Sequence, residues 1–122
     1  MRVEEQYLSD IVEAAELISE QVATITYEDF LVDKTLQQSI LFGFTIIGEA
    51  ANKISSKTKG IYTEIEWSSL ISFRNIIVHA YFSLNLKTVW DAATNRVVPL
   101  AEHVRSIIKH EFDNDITRTE ER

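Results

Sequence analysis

The residues best suited to chemistry lie in one short stretch, "RNIIVHAY" at positions 74–81, set inside the almost wholly apolar run "ISFRNIIVHAYF". Arg74 carries a permanent planar charge that can clamp a phosphate through two parallel hydrogen bonds. His79 brings an imidazole, the side chain whose type ionises near neutrality, which can move a proton to or from a hydroxyl. That pair suits a substrate that supplies its own nucleophile, as RNA does with its 2′-OH. Strand scission then needs acid/base help and stabilisation of a crowded phosphorane, without a metal. The three histidines, at 79, 103 and 110, have no paired ligand spacing, and there is neither a glycine-rich phosphate loop nor a G-x-S-x-G elbow.

Helix geometry decides what these side chains can reach. Asn75 and His79 are an i, i+4 pair, so the amide can hydrogen-bond the imidazole and fix its tautomer. Arg74 and His79 lie about 140° apart around an ideal helix. They converge only if the helix ends near His79, or if two copies of the segment meet across a shared cleft in a symmetric dimer. A structural reading competes with this one. Arg74 falls on the stripe of Trp67, Leu70, Ile71, Val78 and Tyr81, where a guanidinium is costly unless paired. Glu49, at the edge of an apolar helix and itself in need of a partner, is the candidate. On that reading His79 is a core histidine bonded to a backbone carbonyl, and Tyr81 an ordinary aromatic at a dimer interface or the core edge.

The elements around the motif are helical, because the apolar residues recur at three and four and the chain holds only three glycines and one proline. Tyr7, Ile11, Ala14, Ile18 and Val22 predict a first helix over about 3–23. Thr26, with Asp29 three positions on, opens a short helical turn, and Asp33 caps a helix running to about 55. Leu36, Ile40, Phe44, Ile47, Ala51 and Ile54 form its core side. Its centre, "ILFGFTIIGEAA", is apolar nearly all round, and Gly43 and Gly48 would let a neighbouring backbone approach. "SSKTKGIYTE" has the composition of a loop. The motif helix spans about 66–80, Asn85 caps the next, and Pro99 predicts a break or kink, since it cannot donate to the Asn95 carbonyl.

Composition sets the outer limits. The 122 residues are 45% hydrophobic and 25% charged, which fits one all-α domain over 1–112 with a polar tail over 113–122. No cysteine is present, so no disulfide framework or thiolate metal site can form. No signal-peptide pattern or membrane-length apolar run occurs, which predicts a soluble, cytoplasmic protein with no membrane partner. The net charge of -7 argues against whole-surface attraction to nucleic acid and confines any such role to a local site.

The motif residues resemble a known family. "RNIIVHAYF" looks like the R-x4-6-H motif of HEPN-domain ribonucleases, in the R-N-x3-H-x-Y form of HepT-like toxins. "IIGEAANKI", "EIEW" and the later "VW" followed by a proline match as well, so the resemblance runs from the first helix to about residue 110. Ala80 stands where a glutamate is often seen, and Glu66 where a proline commonly precedes the tryptophan. The resemblance implies a HEPN-type bundle of four to five helices forming a symmetric homodimer. It also implies a metal-independent endoribonuclease, the toxin of a type VII-like toxin–antitoxin pair, with its site at the dimer interface. Arg74 would bind and stabilise the scissile phosphate, His79 would act as acid/base, and Asn75 and Glu49 would support the site. No cofactor is implied for RNA cleavage, and no DNA binding. The implied partner is a minimal nucleotidyltransferase antitoxin that uses ATP and magnesium to place AMP on Tyr81. The alternative is a catalytically silent HEPN module serving as a binding or scaffold subunit of a nucleotidyltransferase complex.

Overall fold

Local side-chain bonds start several of the helices. Thr26 accepts from the Asp29 backbone N–H at 3.1 Å while the Asp29 carboxylate accepts from the Thr26 N–H at 3.0 Å, a reciprocal capping box. Asp33 accepts from Leu36 N at 3.0 Å, and Asn85 from Lys87 N and Thr88 N. The structure, a computed structural model, describes residues 2–113, so the predicted tail lies from residue 114 onward outside the described residues. The elements are α1 (Glu4–Val22), α2 (Tyr27–Val32), α3 (Lys34–Lys53), α4 (Ser56–Ile61), α5 (Trp67–His79), α6 (Leu86–Asn95) and α7 (Val97–Ile108). A 3-10 turn, Tyr81–Ser83, follows α5, and a π-helical turn, Lys109–Asp113, extends α7. Among the described residues there is no strand, and five helices of ten residues or more form the all-α bundle.

The packing order puts α1 in the middle, between α3 and α7, with α5 laid on the far side of α3. Leu8, Ile11 and Ile18 of α1, Ile40 and Ile47 of α3, and Val104 and Ile107 of α7 are fully buried in one core. Each such side chain contributes roughly 1.5–3 kcal/mol through removal from water. The break predicted at Pro99 falls just ahead of it. α6 stops at Asn95 and α7 begins at Val97, so Pro99 sits in the first turn of α7, where its missing N–H has no helical partner to lose.

Two expectations are corrected. The segment read as a loop contains α4, because its cap is reinforced from outside. Ser55 accepts from Thr58 N at 3.1 Å, while Glu4 of α1 accepts from Ser55 N at 2.6 Å and from the Thr58 hydroxyl at 2.8 Å. Burial disfavours the Glu4 charge, but these bonds outweigh it and hold the carboxyl below its ordinary range. On α5 the buried stripe is displaced. Ile77 is buried and Phe73 packs on the core, whereas Val78 and Tyr81 are exposed. α5 has one main partner, α3, so only a narrow face is covered, and the helix ends before Tyr81 could follow its period.

Candidate active site

Arg74 lies at a close approach of α3 and α5. A Cβ added to Gly48 would stand 2.2 Å from Arg74 Cβ and 2.9 Å from the Leu70 carbonyl oxygen, so only a glycine permits this contact. From there the guanidinium reaches sideways. Nη2 donates to Glu49 Oε1, Nη1 donates to Asn75 Oδ1 at 2.7 Å, and Nε is buried with no hydrogen-bond partner. The ion pair remains open to solvent, with the Arg74 and Glu49 side chains 27% and 45% exposed. The predicted pairing of Arg74 with Glu49 is therefore formed, at a partly exposed position.

His79 is the last residue of α5 and is exposed. Its imidazole makes no hydrogen bond or ion pair among the described residues; the Asn75 amide oxygen, read as its partner, is turned to Arg74 instead. The stronger charge of the guanidinium explains the preference. At Ala80 the backbone leaves the helix, with φ -138 and ψ 40. Ser83 then donates to the Ala80 carbonyl oxygen through its N–H at 2.9 Å and its hydroxyl at 2.8 Å, which closes the 3-10 turn. Tyr81 on that turn is 44% exposed, its ring edge-on to Phe82 at 5.7 Å. These positions exclude both the core histidine and the core tyrosine.

Arg74, Asn75, His79 and Tyr81 thus all fall on the last two turns of α5 and the 3-10 turn that follows it, with only Arg74 and Asn75 in contact by hydrogen bond. Exposed apolar side chains surround them, including Ile76, Val78 and the fully exposed Phe82. Phe42 is also exposed, and shares a face of α3 with Glu49, seven residues or about two turns away. The exposure of these apolar positions was missed in the sequence reading, which placed Val78 on the core stripe. The available signal was the run "FRNIIVHAYF", which holds more apolar side chains than a helix with one main partner can bury. A separate cleft of about 540 Å3 lies between α3, the first half of α5, α6 and α7, with Phe44, Phe73 and Leu100 in its walls and Arg96 and His103 beside it. None of the motif residues lines it.

Two other cations are paired elsewhere in the bundle. Lys87 pairs with Asp91 at 3.1 Å and stands over the Tyr27 ring, and Arg105 pairs with Glu16 at 2.6 Å. Among the described residues no group of three or more His, Asp or Glu side chains could hold a metal, and no helix is long and apolar enough to cross a membrane.

Residues 11–107, from the second turn of α1 to the end of α7 and including every motif residue, match the family described as ribonuclease HepT-like. The chain belongs to the HepT-like ribonuclease family. A protein of Thermococcus cleftensis named as a probable ribonuclease HepT is 39% identical over 89 residues, 73% of this chain and 81% of that protein. A candidate RNase of Caldanaerobacter subterraneus is 26% identical over 111 residues, 91% of this chain and 99% of its own. Another, from Methanocaldococcus jannaschii, is 28% identical over 103 residues, 84% and 85% of the two chains. No solved structure matches. Membership of the HepT-like family supports ribonuclease as the activity class.

Proposed function

We propose that this HepT-like protein is the toxin of a type VII-like toxin–antitoxin pair and cleaves RNA internally without a metal. The observation that carries the reading is the end of α5 at His79: an imidazole with no side-chain partner among the described residues and the exposed Tyr81 phenol follow the partly exposed Arg74 guanidinium within seven residues. In the reaction, the 2′-OH gives its proton to a base and its oxygen bonds to the adjacent phosphorus. The bond from phosphorus to the 5′-oxygen breaks, and that oxygen takes a proton. The products are a 2′,3′-cyclic phosphate and a 5′-hydroxyl. His79 serves the proton transfers, Arg74 stabilises the charge on the phosphorane, and Glu49 and Asn75 hold Arg74 in place.

A homodimer brings two such ends together and supplies the second imidazole needed for separate acid and base roles. Exposed Phe42, Ile76, Val78 and Phe82 beside the motif support it, because apolar side chains of that size favour a covered position. AMP transferred to Tyr81 from ATP by a magnesium-dependent nucleotidyltransferase antitoxin would place bulk and negative charge beside the phosphate site and silence it.

The deciding experiment is expression without an antitoxin, together with purified protein on RNA. Growth arrest and 2′,3′-cyclic phosphate ends are expected, both lost in His79→Ala; harmless wild type that leaves RNA intact sinks the proposal. Tyr81→Phe should keep cleavage and lose the AMP added by the antitoxin. The second reading, a silent scaffold subunit, is favoured by the net charge of -7 and would be supported by a stable complex with the nucleotidyltransferase in the absence of cleavage.

A further inference from the structure

We infer that Gly48 is the positioning residue for Arg74: its missing Cβ sets the distance of α5 from α3 and so the place from which the guanidinium acts. The inference rests on the reading that Arg74 binds the RNA phosphate. The atoms that an added methyl would meet are the Cβ and Cγ of Arg74, at 2.2 and 2.9 Å, and the carbonyl oxygen of Leu70 at 2.9 Å. None is the free tip of a flexible side chain. The methyl could be housed only by lifting α5 roughly 1 Å or more, since carbon atoms settle about 3.5–4.0 Å apart.

Such a lift would act on Arg74 in particular. Glu49 is the next residue on α3, so the carboxylate that holds Nη2 is fixed to the same backbone that Gly48 brings close. Asn75 holds Nη1 from α5 itself. The guanidinium is therefore anchored to both helices, and its orientation depends on their separation. Nε is buried with no acceptor, a costly arrangement that fits a slot too narrow for water. Gly43 provides the contrast within the same helix. A Cβ there would meet only the Ile18 side chain closely, Cδ1 and Cγ1 at 2.9 Å, on the α1 side and away from Arg74. One glycine serves packing alone, whereas the other also aims the phosphate-binding group.

The test compares RNA cleavage by wild type, Gly48→Ala, Gly43→Ala and Phe73→Leu, the last removing the edge contact with Phe44 elsewhere along the α3–α5 interface. Gly48→Ala is expected to lower kcat on the order of 10²-fold with KM little changed, the signature of a misplaced group that acts in the transition state. Gly43→Ala and Phe73→Leu should melt earlier and keep their kcat. Gly48→Ala added to Arg74→Lys should cost little further kcat, because the glycine works through the guanidinium. By NMR, the Arg74 Nε–H of wild type should exchange slowly with water, and that of Gly48→Ala quickly. A kcat loss no greater than that of Gly43→Ala, or an undiminished loss in the Arg74→Lys background, overturns the inference. If Gly48→Ala does not fold, wild type decides: an Arg74 Nε–H exchanging as freely as that of exposed Arg96 shows that no such seat exists. Wild type that fails to cleave RNA removes the proposed function, and the NMR comparison still tests the seat.

Discussion

From Trp67 to Phe73, α5 turns its large side chains inward. Trp67 is buried, with its indole N–H donating to the Tyr62 carbonyl at 3.0 Å; Leu70 and Ile71 pack on the core, and Phe73 meets Phe44 at 5.0 Å. From Arg74 to Phe82 the same density of apolar residues points mostly outward, Ile77 alone being buried, and the polar side chains there are the ones proposed for the chemistry. Because the first half stabilises by burial and the second holds the proposed working groups, substitutions should separate stability from activity between them.

The largest effect expected is on activity in the second half. His79→Ala should lower cleavage by about 10²–10⁴-fold, the range for a positioned acid/base group, with no change in melting temperature. A matching loss of stability would break the contrast between the halves. In the first half, Trp67→Ala should cost about 3–5 kcal/mol in urea unfolding, since it removes both buried area and the partner of the Tyr62 carbonyl. Phe82→Ser, on the turn, should stay within about 0.5 kcal/mol of wild type for the monomer. Glu49→Ala lies between them. Its half-open ion pair is worth less than about 1 kcal/mol to stability, yet the freed guanidinium should lose its orientation and kcat with it.

The smallest expected effects come from titration away from α5. The Glu4 carboxyl sits below its ordinary value of 4.5, so its bonds to Ser55 and Thr58 stabilise the fold above that value. The contribution is lost as pH falls through the depressed folded value, and Glu4→Gln should flatten that part of an acid unfolding profile. Tyr62 behaves in the opposite sense. Burial and its hydrogen bond to Glu111 push the phenol from 10.0 up to about 12, so its contribution is complete below the former and lost as pH rises through the latter. Tyr62→Phe should remove this alkaline step. Neither substitution should alter cleavage at neutral pH; if either does, the motif end of α5 is coupled to the rest of the bundle more tightly than its exposure implies.

What could be read in advance divides along the range of the interactions. Thr26, Asp33 and Asn85 were legible as caps because each bond spans two or three residues, and the break before α7 followed from one missing N–H. α4 was not legible as a helix, since its cap is completed by Glu4, 51 residues away from Ser55. The Ser55 and Thr58 spacing was the only local hint of it. The buried face of α5 was misplaced for a related reason: period 3.6 says that a helix has a face, while the neighbour decides which one.

The residue types and spacing of "RNIIVHAY" by themselves determined the candidate chemistry, because a permanent charge, a titratable imidazole and a phenol are properties of side chains and survive any fold. They also determined that Arg74 and His79 diverge on a helix that continues. Tertiary structure alone decided that His79 and Tyr81 stay exposed, that Asn75 serves the arginine, and that Gly48 lies beneath Arg74. These outcomes depend on which helix surface lies opposite and how closely it approaches, and neither is encoded in the spacing of residues along a single helix.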